Sequence, residues 1–130
     1  MTLQMYMLTA ISLTIFSCRL ADKPYENISL QQSLELIHNT PSLQIVDLRT
    51  NEEIQQTGRI EGAVHFDFYQ SDFEARIHSL DKNKPVLLYC AAGSRSSKAA
   101  SILVNTGFEK VYNFKGGMNA WKGAGQPTIP

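Results

Sequence analysis

The sequence predicts a single α/β domain with a mainly parallel central sheet flanked by helices. Three observations carry that expectation. From residue 28 onwards, short apolar runs alternate with stretches of helical spacing. One run, Pro85-Val86-Leu87-Leu88-Tyr89, is apolar without alternation, as a strand covered on both faces requires. The chain has 130 residues, enough for one hydrophobic core but not for two.

The elements follow in order. Ser29 can cap a helix in which Leu30, Leu34, Leu36 and Ile37 recur at helical spacing. Asn39-Thr40-Pro41 ends it, because the residue before a proline avoids the α region. Leu43 to Leu48 reads as a strand, interrupted by Gln44. Glu52 to Gln56 reads as a short helix stopped at Gly58, and Ala63 to Phe66 as a second strand. Asp72 to Ser79 is a weak helix, and Pro85 to Tyr89 the buried strand. The loop Cys90 to Ser94 leads into a helix over Arg95 to Thr106, with Ala99, Ile102 and Leu103 on one side and Gly107 as its stop. Val111 to Phe114 is the last strand. Gly116-Gly117 then turns into a short helix carrying Ala120 and Trp121.

Residues 1–21 stand outside this pattern. Met5 to Ser17 is mostly apolar but well short of the roughly 20 residues that span a bilayer. Its length suits the core of an export signal, although no Lys or Arg precedes it. A buried N-terminal helix is the other reading. Cys18 follows the run directly in Ile15-Phe16-Ser17-Cys18, which resembles the lipobox of bacterial lipoproteins, Phe16 being a departure. Cleavage near Ala21 is the alternative to a lipid anchor at Cys18. The expected location is therefore exported, either periplasmic or tethered as a bacterial lipoprotein. Residues 22–27 read as a short linker, and 28–130 as the domain.

Charge narrows the partners. Twelve Lys and Arg cancel twelve Asp and Glu, so nothing in the balance points to nucleic acid. His38, His65 and His78 have no metal-ligand spacing, and none has a Cys partner nearby, so no metal is expected. No other cofactor is called for. With Cys18 in the leader, the mature domain holds one thiol, Cys90, and no internal disulfide.

In such sheets the ligand sits beyond the carboxyl ends of the strands. Cys90 lies at the end of the most apolar strand, just before a helix, in Cys90-Ala91-Ala92-Gly93-Ser94-Arg95-Ser96. Small residues there let backbone N–H groups converge, and the helix N-terminus adds partial positive charge. A thiolate so placed is stabilised below the free value. Arg95 can add a fixed cation with several donors. The loop thus activates a nucleophile and receives an anion. A Cys–S–S⁻ persulfide needs both. Each piece alone has a bland reading: Gly93 a turn, Arg95 a surface group, Ser94 or Ser96 a helix cap.

Together, Cys90 to Ser96 resemble the active-site loop of rhodanese domains. Two flanking blocks agree. Asp47-Leu48-Arg49, Glu53, Gly58, Ile60 and Gly62-Ala63 resemble one family stretch. Gly116-Gly117, Ala120-Trp121, Gly125 and Pro127 resemble its C-terminal signature. The match runs from about Ile28 to Pro127. Arg59 and His65 depart from the residues common at their positions. The resemblance implies a sulfurtransferase that moves sulfane sulfur from a small donor such as thiosulfate to a thiol or cyanide-like acceptor through Cys90. Ala91, Ala92, Gly93, Ser94 and Arg95 would bind substrate, with Asp47, Arg49 and Ser96 in support. A sulfur carrier serving a protein acceptor, with little turnover alone, is the alternative. Phosphatases and arsenate reductases of the same fold use a loop one residue longer between Cys and Arg.

The remaining residues read as structural. Asp47 and Arg49 suit an ion pair near the strand end, Glu53 and Arg59 surface or loop-fixing roles, and Trp121 the core. No His is placed as a base for Cys90, which argues against a Cys–His protease.

Overall fold

The computed structural model describes residues 24–130. Its elements are β1 (Glu26–Ile28), α1 (Leu30–Asn39), β2 (Gln44–Asp47), α2 (Asn51–Thr57), β3 (Val64–His65), α3 (Phe73–His78), β4 (Val86–Tyr89), α4 (Ser94–Asn105), β5 (Val111–Phe114) and α5 (Gly117–Gly123). The strands form one five-stranded sheet in the order β1-β5-β4-β2-β3, and every neighbouring pair is parallel. An α/β domain with a parallel central sheet is thus what the chain forms.

The central strand explains the layering. All four residues of β4 are buried. Successive side chains of a strand point to opposite faces, so Val86 and Leu88 enter one core while Leu87 and Tyr89 enter the other. The first core is closed by Ala99, Ala100 and Leu103 of α4 with Phe73 and Ile77 of α3. The second is closed by Met118 and Trp121 of α5, with Leu34 and Ile37 of α1 packed against it. Each fully buried Leu contributes roughly 1.5–3 kcal/mol.

Two helices begin as local chemistry dictates. At α1, Ser29 accepts from the Gln32 amide and Gln32 reaches back to the Ser29 amide. At α2, Thr50 and Glu53 do the same. Such a box satisfies two orphan donors at once. Trp121 donates to the Pro127 carbonyl at 2.8 Å, tying the C-terminal segment to α5. Arg59 and Ile129 exchange backbone hydrogen bonds in an isolated antiparallel bridge.

One boundary needs correction. The stretch read as a linker over 22–27 contains strand from Glu26, and β1 pairs with β5 at the sheet edge. The ordered domain thus starts before residue 28. The expected leader over 1–21, with Cys18, lies outside the described residues. Among the described residues no helix is long and apolar enough to cross a membrane.

Candidate active site

Cys90 follows β4 directly, at the carboxyl edge of the sheet, and is 1% exposed. Gly93 closes the loop at φ +93°, a region L side chains avoid. A Cβ there would also stand 2.5 Å from the Lys115 carbonyl oxygen, so both the turn and the close approach require glycine. Helix α4 opens at Ser94 with no side-chain cap. Neither Ser94 nor Ser96 spends its hydroxyl on the first turn, which leaves its amides free for the loop.

Those donors converge on sulfur. The Gly93 N–H donates to Cys90 Sγ at 3.2 Å, and the buried Ser96 hydroxyl lies 3.4 Å from it. Burial alone pushes the thiol pKa up. The Ser96 hydroxyl and the amides of Ser96, Gly93 and Ala92 outweigh burial, and the net direction is down. A second helix holds the loop in this shape. Its N-terminal amides donate to the loop's carbonyls: Met118 N–H to Cys90 O at 2.9 Å, and Asn119 N–H to Ala91 O at 3.1 Å. With those carbonyls taken outward, the loop amides face the thiol. Gly117, at φ +55°, permits the contact, because a Cβ there would overlap the Cys90 and Ala91 carbonyl oxygens.

Arg95 is not a free cation. Its two terminal nitrogens donate to Glu53 Oε1 at 2.7 Å and Oε2 at 2.9 Å, a bidentate pair joining α4 to α2. The Tyr69 ring lies 5.7 Å from the guanidinium carbon. The Arg95 hydrogen bonds hold the Glu53 carboxyl well below its ordinary range, at about 2, against the upward push of burial and with help from Thr50. Arg95 is raised in turn, first by its hydrogen bonds to Glu53. The sequence alone suggests a surface or loop-fixing role for Glu53. Its pairing with Arg95 spans a separation of 42 residues that no local pattern shows. The one local signal was the Thr50–Glu53 capping box, which marks Glu53 as held in place.

Beneath the loop lies a buried ionic cluster. Asp47 Oδ1 accepts from the Arg49 amide and Nε, and Oδ2 from the Arg49 guanidinium at 2.8 Å and the Tyr89 hydroxyl at 2.6 Å. Arg49 also reaches Thr57 and the Gly58 carbonyl. Burial and then the Asp47 charge raise the Tyr89 pKa, so the phenol stays a donor. His65 bonds the Arg49 carbonyl through Nε2. Asp47 and Arg49 thus lie within the structure at the carboxyl ends of β2 and β4, without a hydrogen bond to Cys90.

The structure brings Cys90, Gly93 and Ser96 into direct contact and holds Arg95 beside them through Glu53. Ala91 lines a cleft of about 380 Å³ with Glu53, Gln56, Met118, Asn119 and Lys122. Ala92 and Ser94 are exposed on the rim. Among the described residues no group of three or more His, Cys, Asp or Glu side chains is arranged to hold a metal ion.

A family model for the rhodanese-like domain matches residues 29–124. The chain belongs to that family. Two relatives of this rhodanese domain share 34% identity with it. A sulfurtransferase of Allochromatium vinosum does so over 78% of this chain and 89% of its own length. The thiosulfate sulfurtransferase GlpE of Pseudomonas entomophila does so over 75% and 85%. The polysulfide-sulfur transferase homodimer of Wolinella succinogenes is similar in structure, at a TM-score of 0.70 and 26% identity, over 84% of this chain and 80% of that one. Together they support a sulfurtransferase or sulfur-carrier role for the rhodanese domain.

Ser96 offers a direct test of the thiol's environment. Thiol alkylation needs the thiolate, so its rate rises as pH passes upward through the pKa and then levels. Ser96→Ala removes the donor that lowers the pKa most. The inflection is expected to move to higher pH, with a severalfold slower reaction at neutrality. An unmoved inflection would show that the amides alone set the thiol.

Proposed function

We propose that the domain carries sulfane sulfur on Cys90 and passes it to a thiophilic acceptor. The Cys90 thiolate attacks the outer sulfur of a donor, and the donor's sulfur–sulfur bond breaks. The leaving group departs with that electron pair, as sulfite from thiosulfate or as a thiol from a hydropersulfide. The resulting Cys90–S–S⁻ is then attacked at its outer sulfur by a thiolate or cyanide-like acceptor, which returns the Cys90 thiolate. Kinetics are double-displacement.

The observation that carries this reading is the convergence of the Gly93 amide and the Ser96 hydroxyl on Cys90 Sγ. The same donors that stabilise a thiolate suit the terminal sulfur of a persulfide. The spacing of Cys90 and Arg95 keeps the cradle small, which favours sulfur over a phosphoryl group. Ala91, Ala92 and Ser94 are small or uncharged, so they admit many donors. Asp47 and Arg49 act at a distance from the sulfur, by holding the strand ends and, through Thr57 and Gly58, the end of α2. The apolar run Met5–Ser17, with Cys18, supports an exported domain, lipid-anchored or cleaved.

A protein acceptor is the second reading. Tyr69, 68% exposed and set against Arg95, places a large uncovered side chain beside the loop. Fast transfer to one protein with slow turnover on free thiols would favour it.

The test is intact mass after incubation with thiosulfate or a hydropersulfide. The expected result is a gain of one sulfur atom on the Cys90 peptide, removed by a thiol reductant. Absence of that gain with both donors overturns the proposal.

A further inference from the structure

The cation expected to receive an anionic donor is already matched. Both terminal nitrogens of Arg95 point at the Glu53 carboxylate, and the Arg95 side chain is 13% exposed. Glu53 is fixed from its other side, where Thr50 donates to Oε1 through its amide and its hydroxyl. The second cation nearby, Arg49, is spent on Asp47. Two cations therefore face two carboxylates and a thiolate, and the loaded-ready site carries one net negative charge. Lys115 and Lys122, on the flanking clefts, are exposed, where solvent and salt screen them.

Thiosulfate approaches such a site as a dianion. An alkyl hydropersulfide, RS–SH, brings at most one charge at its reacting end. Both donors give up the same sulfane sulfur, so the charge of the surroundings decides between them. We propose that Glu53, acting through Arg95, is a specificity-determining residue that turns the site against dianionic donors and toward alkyl hydropersulfides. This rests on the sulfur-transfer reading above. The balanced steps differ only in the leaving group. Cys90–S⁻ and RS–SH give Cys90–S–S⁻ and RSH, whereas Cys90–S⁻ and thiosulfate give Cys90–S–S⁻ and sulfite.

The fold supports a role beyond stability. A surface pair needs no capping box to orient its carboxylate and no second helix to cover its guanidinium. Here α2 presents Glu53 through its own first turn, and the Arg95 end of α4 begins at the loop that holds Cys90. Screened pairs are worth little to stability, yet a fixed charge near the reacting sulfur acts on every approaching donor.

The experiment measures single-turnover loading of Cys90 by intact mass, so that no acceptor enters. Wild type and Glu53→Gln are compared with thiosulfate, a dianion, and with 2-hydroxyethyl hydropersulfide, whose organic part is uncharged and which carries at most one negative charge, on its reacting end. Gln keeps one acceptor oxygen, at the position that meets Thr50 and one Arg95 nitrogen, and removes the charge together with the second acceptor. The ratio of the thiosulfate rate constant to the hydropersulfide rate constant is expected to rise at least about tenfold in the variant. In wild type, added KCl is expected to speed loading by thiosulfate, because like charges are being screened, and to speed loading by the hydropersulfide by a smaller factor. That second measurement needs no variant, so it holds even where Glu53→Gln folds poorly. An unchanged or falling ratio, or thiosulfate loading that slows with salt, overturns the inference while wild type still loads from both donors. Loading from neither donor overturns the sulfur-transfer reading itself.

Discussion

Replacing Cys90 by serine is expected to abolish sulfur loading, with transfer falling at least about a thousandfold. The change removes one capability and little else. The serine hydroxyl is of similar shape, and the Gly93 amide and Ser96 hydroxyl remain as partners for its oxygen. The loop carbonyls are still held by the Met118 and Asn119 amides, which do not involve the side chain. Folding free energy should therefore change by only about 1 kcal/mol. What is lost is ionisation, since an alcohol at this site does not become an anion near neutrality. Unfolding in urea measures the first expectation and intact mass after donor treatment the second. A folded Cys90→Ser protein that still gains a sulfur atom would place the carrier elsewhere in the chain.

How far the sequence announces this site depends on the range of the contacts. The strand, loop and helix around Cys90 are contiguous, so Val86–Tyr89 and the small residues after them were legible. The layout of β4 follows from an apolar run that admits no solvated face. Strand β1 was not legible, because Glu26–Ile28 is a short edge strand with only Ile28 buried. Its pairing to β5 supplies what its own residues do not signal. The Glu53–Arg95 pair was missed as a unit for a related reason, since a bidentate contact across 42 positions leaves no periodic trace. The same holds for α5. Gly116-Gly117 reads as a turn, but that its amides would hold the Cys90 and Ala91 carbonyls is a property of packing. Local chemistry marked the nucleophile, and tertiary contacts decide the charge that surrounds it.

The largest loss of stability is expected from Asp47→Ala. Asp47 is fully buried and accepts four hydrogen bonds, three from Arg49 and one from the Tyr89 hydroxyl. Without it, the Arg49 guanidinium, 2% exposed, keeps only Thr57 and the Gly58 carbonyl as hydrogen-bond partners, and loses its ion-paired carboxylate. The Tyr89 hydroxyl loses its acceptor inside the second core. Breaking a buried pair by removing one partner costs about 3–5 kcal/mol, chiefly because the other charge is stranded. For a domain of this size that is a fall in Tm of more than about 10 °C. The double variant Asp47→Ala with Arg49→Leu separates the stranded charge from the lost packing. It should be more stable than Asp47→Ala alone, since nothing charged is then left unpaired. A single variant that loses less than about 1 kcal/mol would show that water reaches Arg49. The consequence extends to the site, because Arg49 grips the end of α2 at Thr57 and Gly58, and α2 presents Glu53 to Arg95. Loosening that grip should disturb the charge pairing beside Cys90 before the sheet itself comes apart. Donor selectivity should therefore change in Asp47→Ala at temperatures where the domain is still folded.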